Sequence, residues 1–403
     1  MVDDHNQDAP ESGRSSSLSR RGFLRGSLAV GASVAGMGLL DACAGGSSDG
    51  GSSGKAAIPQ AKSVPSYYPS SYDSIVAGSR KEKQLTIYSN LDESNWAPLI
   101  SAFKKRYPWV SNVATNNLGS SEVFQRYYSE QARGSSAADM LVSGSPQDWI
   151  DLVQNRKLAL TYDSPEKSKM PASLVEPLPG LYTFSTDPIL MGYNTALVDK
   201  SKRPTGIGSL AKIVQNNPDQ FKNKVTTYNI SESFGFAVNY HYAQGTGNAW
   251  KKLDTILPFV RPEDSSGPMV DKMNSGEYLV GYFLSSTVVL PAAEEKGAII
   301  GWSYIDDGTP LFIRGVAITK QPKHPNTAKL MLDFILSEAG QTAIYNGGLT
   351  PYRQNLPGDV KRSYQSILNE VGKDNIVYVD YKTKLAKSDI QRFSQRWNKA
   401  LGQ

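Results

Sequence analysis

An α/β fold in two lobes, each a mainly parallel sheet flanked by helices, is what this sequence predicts, and three observations carry the prediction. Strand-type and helix-type apolar runs alternate from residue 85 onward, with Gly, Ser and Asn collected between them. About 360 residues follow a leader-like N-terminus, more than one hydrophobic core usually organises. No repeat of fixed period is present, which removes a solenoid reading.

Taken in order, residues 1–42 are the leader and 43–66 a tether, whose Gly/Ser/Asp tract Gly45–Gly54 cannot bury apolar surface. Folded structure is expected from Tyr67. Leu85–Tyr88 is a short buried-type strand, and Trp96, Leu99, Ile100 and Phe103 then keep helical spacing. Val113–Asn116 is a second strand, Gly119-Ser120-Ser121 a turn with capping residues, and Glu122–Arg133 a helix. Ala138–Val142 is a third strand, ending in Ser143-Gly144-Ser145-Pro146 before another helix. This β-loop-α order gathers the loops at one sheet edge. Pro188–Asn194 is an apolar strand suited to cross between lobes. Beyond it come a strand at Val225–Tyr228, helices at Phe234–Gln244 and Trp250–Leu257, and a strand at Tyr278–Leu284. Leu311–Thr319 returns toward the first lobe, followed by an amphipathic helix over Pro325–Ser337. The first lobe is thus expected over 67–187 and the second over 188–308, with 309–403 returning to the first lobe and adding C-terminal helices.

Composition narrows the function. Removing the leader takes four of the 43 Lys and Arg and five of the 38 Asp and Glu, leaving a formal net charge of +6 without a run of five like charges. That distribution does not argue for nucleic acid. The chain also lacks a metal-ligand cluster, a Gly-x-Ser-x-Gly elbow and a Gly-rich phosphate loop ending in Gly-Lys-Ser/Thr, so nucleophilic, metallo- and nucleotide chemistry find no support. A secreted hydrolase would also need a histidine, and only His241 and His324 follow the leader. An enzyme or a structural lipoprotein remains as the lesser alternative.

The leader carries its own message. Ser19-Arg20-Arg21-Gly22-Phe23-Leu24-Arg25, ahead of the weakly apolar run Gly26–Leu40, resembles a twin-arginine export signal. Leu40-Asp41-Ala42-Cys43 resembles a lipobox, and Cys43 is the single cysteine. The resemblance implies cleavage before Cys43, acylation of its thiol, and anchoring to the outer face of the cytoplasmic membrane. An uncleaved span over Gly22–Leu40 and a buried structural cysteine are the competing readings.

A family resemblance runs through the folded part. Leu85-Thr86-Ile87-Tyr88-Ser89, Ala102-Phe103 to Tyr107-Pro108, Arg126 to Glu130 and Ala138-Asp139-Met140 to Ser143 form one group of strings. Gly192-Tyr193-Asn194-Thr195, Gly276-Glu277, His324-Pro325-Asn326-Thr327-Ala328-Lys329 and Phe334-Ile335-Leu336-Ser337 form another. In this order they resemble the type 2 periplasmic binding proteins that feed ABC importers, in particular the ferric-ion-binding branch and its relatives, over roughly 84–353. The resemblance implies two α/β lobes closing on a ligand in the interlobe cleft, with an ABC permease and ATPase as partners. A monomer without cofactor or resident metal, acting as a binder and not an enzyme, is expected. The loops that match the family's ligand loops are Ser89-Asn90, Gly119-Ser120-Ser121 and Ser143-Gly144-Ser145 in the first lobe and Ser231 to Ser233 in the second. Each serine has the competing reading of a helix cap. Helix N-termini and strand-end loops offer N–H groups and partial positive charge, which suit anionic ligands.

The ligand divides the family. Its ferric-ion binders hold the metal with two neighbouring tyrosinates that follow a Gly-Glu pair. Here Gly276-Glu277 is followed by Gly281-Tyr282-Phe283-Leu284-Ser285-Ser286-Thr287, so hydroxyl residues stand where the tyrosine pair is expected. Tyr127-Tyr128 lies on a predicted helix, where neighbours diverge by about 100°, and Tyr67-Tyr68 precedes the first strand as a lobe-wrapping segment. The favoured ligand is therefore a phosphonate, a phosphate ester or a carboxylate, with ferric ion as the alternative. Ser285, Ser286 and Thr287 are candidate hydrogen-bonding groups, and Arg314, with Arg126 and Arg353, candidate counter-charges. Arg126 has the competing reading of an i,i+4 pair with Glu130.

Overall fold

The computed structural model describes residues 55–59, 63–381 and 384–402. The leader, Cys43 and much of the tether lie outside the described residues. Ten strands form the frame: β1 (Gln84–Ser89), β2 (Asn112–Asn117), β3 (Met140–Ser143), β4 (Leu181–Asn194), β5 (Val225–Tyr228), β6 (Val260–Glu263), β7 (Val280–Ser285), β8 (Ile300–Ser303), β9 (Thr309–Ile318) and β10 (Ile376–Val379). They follow one path, β2-β1-β3-β9-β4-β7-β5-β6, with β10 on β9 and β8 on β4.

Parallel blocks flank an antiparallel centre. β1 runs parallel to β2 and β3, and β5 parallel to β6 and β7, as crossover helices require. β9 is antiparallel to both β3 and β4, and β4 is antiparallel to β7 and β8. The centre differs because β4 and β9 are the strands that travel between lobes, one outward and one back. β4 makes the passage along its length, pairing with β9 from Leu181 to Pro188 and with β7 from Ile189 to Tyr193.

Two cores follow from this division. Trp96, Phe103, Phe124, Trp149 and Phe334 fill one, and Tyr242, Leu253, Met269, Phe283 and Trp397 the other. On β9 the boundary falls between Phe312, in the second core, and Ile313, in the first. The last helix, Lys387–Leu401, buries Phe393 and Trp397 in the second core: those residues, four apart, form one apolar stripe, and the helix packs on the turn Leu257–Phe259.

The first lobe begins earlier than its first strand. Helix Tyr72–Glu82 packs on helix Pro325–Leu336, where Gly78 lets them approach: a Cβ there would meet the Asn326 side chain at 2.4 Å. Glu82 closes the contact by accepting from the backbone N–H groups of Asn326 (3.1 Å) and Thr327 (2.7 Å), a carboxylate satisfying a helix N-terminus. Among the described residues no helix is long and apolar enough to cross a membrane.

Candidate functional site

Parallel β1, β2 and β3 deliver their carboxyl-end loops to one edge, and two polar groups form there, adjoining at Ser120 and Ser121. Asn90, just after β1, accepts at Oδ1 from Arg314 Nη1 (2.8 Å) and donates through Nδ2 to Ser120 Oγ (3.0 Å). Ser143 Oγ donates to the Ser120 carbonyl (2.7 Å), tying the third loop to the second. Ser121 and Ser145 both donate to Asp148 Oδ2. With its proton committed to Asp148, Ser121 accepts from Ser233, the two Oγ atoms standing 2.6 Å apart. Ser233 opens helix Ser233–Gly245, whose aromatic residues pack in the second core. This single hydrogen bond therefore joins the loops of one lobe to those of the other.

The remaining candidates take different places. Ser89 is fully buried and accepts from Trp96 Nε1 and the Leu91 N–H, both at 3.0 Å, so its hydroxyl faces the core. Ser231 is exposed and donates its N–H to Asn229 Oδ1 (3.0 Å). Ser285 donates its N–H to Ser266 Oγ (2.9 Å), and its own hydroxyl pairs with Thr287 Oγ1 (2.8 Å). Ser286 is 0% exposed, and its Oγ has no hydrogen-bond partner among the described residues.

Arg314 is 3% exposed, and Asp187 sits beside it, Oδ2 accepting from Nε at 3.2 Å. Asp187 also accepts from Ser185 Oγ (2.8 Å) and the Thr350 N–H (3.0 Å). The guanidinium charge is thus balanced within the protein, and what Arg314 supplies is the orientation of Asn90. Arg126 pairs with Glu130 at 3.2 Å on its own helix, and Arg353 with Glu166 at 2.6 Å under the first lobe.

Two cavities border these groups. The larger, about 570 Å³, is walled on one side by Asp92, Asn95 and the turn 345–348, and on the other by helices Ser266–Asn274 and Ser286–Glu294. Both helices bring their first turns to it, through Gly267 and Thr287, and neither has a side-chain cap on its N-terminal N–H groups. Arg362 lies in the same wall, donating to Thr350 Oγ1 (3.1 Å) and the Gly348 carbonyl (3.0 Å). Burial lowers its pKa, and no carboxylate stands within ion-pair distance of it among the described residues. The second cavity, about 340 Å³, is bordered by Ser145, Ser231, Ser233, Phe236, His241 and Leu385. His241 holds a proton on Nδ1, donated to the Ala237 carbonyl at 2.7 Å, and burial lowers the pKa of the ring.

The tyrosines stay apart from these walls. Tyr282 is fully buried in the second core, where burial pushes its hydroxyl well above the ordinary range. Tyr127 is buried in the first core, with Tyr128 half-buried beside it under Arg156. Tyr67 and Tyr68 both donate to Glu166. Among the described residues no three His, Cys, Asp or Glu converge on one point.

Sequence reasoning missed Asp148, Asp187, Ser266 and Arg362. Asp187 left a trace, a carboxylate inside an apolar run, which is stable only when paired. Arg362 left none, since its place depends on a turn folding back over residues 348–350.

The sequence profile described as bacterial extracellular solute-binding protein matches residues 98–365. No curated protein is significantly similar in sequence. Among solved structures, the substrate-binding protein of an ABC transporter from Agrobacterium tumefaciens superposes with a TM-score of 0.72 at 19% identity, covering 81% of this chain and 97% of that one. AfuA from Actinobacillus pleuropneumoniae, a periplasmic binding protein with fructose-6-phosphate bound, gives 0.62 at 18% identity, covering 79% and 98%. Iron-bound HitA from Pseudomonas aeruginosa gives 0.61 at 16%, covering 79% and 99%. These neighbours share the two-lobed fold, and with the profile spanning 98–365 the chain belongs to the bacterial extracellular solute-binding proteins.

Proposed function

We propose that this protein is the receptor of an ABC import system, exported by the twin-arginine route and lipid-anchored through Cys43 to the outer face of the cytoplasmic membrane. It captures a small anionic or oxygen-rich solute, a phosphonate, phosphate ester or carboxylate, by lobe closure and hands it to a membrane permease driven by an ATPase. The observation that carries this reading is the convergence of hydroxyl and amide groups from both lobes, joined where Ser121 meets Ser233 at 2.6 Å. In the larger cavity, two helix N-termini without side-chain caps and Arg362 supply the positive character an anion needs. The 570 Å³ cavity has room for a solute of sugar-phosphate size.

Ferric ion is the second reading, and iron-bound HitA among the neighbours favours it. Against it stands the protonation of the tyrosines: a phenolate ligand must lose its proton, and burial of Tyr282 opposes that loss.

A thermal-shift panel of methylphosphonate, glycerol 3-phosphate, citrate and ferric salt separates the readings. A ligand at a hundred times its Kd stabilises by about 2.7 kcal/mol. A shift with an organic anion is expected; a shift with ferric salt alone, accompanied by a visible tyrosinate band, restores iron, and no shift from any anion ends the preferred class. For the anchor, Cys43→Ala is expected to move the protein from the membrane to the soluble fraction, and retention of the variant on washed membranes overturns lipidation.

A further inference from the structure

We infer that the strap ahead of the first helix is part of the solute site, with Lys55 as a residue that sets its preference for anions. The inference rests on the cleft-binding reading above and concerns a segment that the sequence assigns to the tether.

The strap is pinned where it reaches the large cavity. Ala56 gives its N–H to Asn346 Oδ1 (2.7 Å) and takes Asn346 Nδ2 on its carbonyl (2.8 Å). One amide side chain thereby satisfies both backbone groups of a residue, as a neighbouring strand would. Ala57 donates its N–H to Asp359 Oδ2 (2.6 Å), and Ala56 is only 3% exposed. Farther along, Arg106 Nη2 holds the Ser63 carbonyl at 2.6 Å, and Tyr67 and Tyr68 bond to Glu166. The segment is held at both ends.

What it is pinned to is the cavity wall itself. Asn346 ends helix Glu338–Asn346, and the next two residues, Gly347 and Gly348, line the cavity with it. Gly347 lies so close to Asn95 that a Cβ would meet the Asn95 carbonyl oxygen at 2.3 Å, which fixes this turn against the start of helix Glu93–Arg106. Docking of Ala56 on Asn346 therefore carries the preceding residue, Lys55, to the same wall. Lys55 and Arg362 are the two cationic residues among those lining the cavity. Asp92, Asp271, Glu294 and Glu295 also border it and would repel an anion. A mobile ammonium at that wall offsets the repulsion and can follow an anionic group of varied position, whereas Arg362 is fixed by its bonds to residues 348 and 350.

Five proteins test this: wild type, Lys55→Ala, Lys55→Glu, Lys55→Ala combined with Asp359→Ala, and Asp359→Ala alone. The last loosens the strap without altering a cavity residue. Titration with phosphate, methylphosphonate, glycerol 3-phosphate and citrate at constant ionic strength should show binding weakened about fivefold in K55A and further in K55E. D359A should fall between wild type and K55A, and adding D359A to K55A should weaken binding little beyond K55A alone. Melting temperatures without solute should match for wild type and K55A. If an anion binds wild type and K55A within twofold, the strap is not part of the site and the proposed function stands. If D359A and K55A add independently, the strap does not position Lys55. If none of the anions binds wild type, both readings fall together.

Discussion

Two polar clusters in this molecule use the same chemistry in opposite states. Under the first lobe, Asp333 accepts from Tyr72 (2.9 Å) and Tyr162 (2.8 Å) on one oxygen and from Ser164 (2.6 Å) on the other. Nearby, Glu166 takes Tyr67 (2.8 Å) and Tyr68 (2.7 Å) on Oε1 and Arg353 (2.6 Å) on Oε2. Both carboxylates are buried, and each of their oxygens is occupied. At the start of helix Ser286–Glu294, which reaches the larger cavity through Thr287, Ser286 Oγ is buried without a partner among the described residues, and the helices behind Ser265 and Ser285 lack side-chain caps. A saturated cluster has nothing left to offer a ligand and works as an internal fastener. An unsaturated one carries a free-energy cost that a visiting solute can relieve.

Breaking the fastener should have the largest effect. Asp333→Ala leaves three hydroxyl donors facing a hole, and at about 1–3 kcal/mol for each group left unsatisfied the loss should reach about 3 kcal/mol or more, read by chemical denaturation. A pH series sharpens the point. Burial pushes Asp333 up to about 7, against the pull of Ser164, Tyr162 and Tyr72. A carboxyl that holds its proton more tightly folded than unfolded stabilises the native state fully below the unfolded value, and that contribution drains away as pH rises through the folded one. Relative to Asp333→Asn, which does not titrate, the wild type should lose stability between about pH 4 and 7. A flat difference across that window would mean that the hydroxyls outweigh burial and keep Asp333 ionised.

The comparison also explains what could be read without coordinates. Strands at 85–88, 113–116 and 225–228 and the helices after 122 and 234 were legible because each carries its own apolar period, which is local. The crossing strand was legible only as Pro188–Asn194. Its first half, Leu181–Asp187, mixes Thr, Ser and Asp among apolar residues, all of them buried by β9 from more than a hundred residues away. Of the candidate loop residues, Asn90, Ser120 and Ser143 share one set of hydrogen bonds and Ser121, Ser145 and Ser233 a second one around Asp148, since strand-end loops gather wherever the sheet is parallel. Ser89 faces the core because its partner, Trp96, lies one helical turn into the next element, and spacing alone does not say on which side a strand's last residue points. The pairing of Arg314 with Asp187, and the lack of an ion pair to Arg362 among the described residues, depend on which charges fold next to each other.

The smallest predicted effect on stability belongs to Ser286→Ala, and it discriminates most sharply between the two clusters. In a saturated network the loss of a hydroxyl costs about 1 kcal/mol, because its partner is left behind. Ser286 leaves no partner behind, and the alanine methyl fits the space of the hydroxymethyl it replaces, so stability should stay level or rise by up to about 1 kcal/mol. If the hydroxyl is held in reserve for the solute, the same change should weaken binding of an organic anion by about tenfold, or about 1.4 kcal/mol. Denaturation midpoints and calorimetric titration on one preparation read both quantities. A stability loss near 1 kcal/mol with unchanged affinity would place Ser286 with the fasteners and remove it from the site; the opposite pair of results would tie the unpaired hydroxyl to ligand capture.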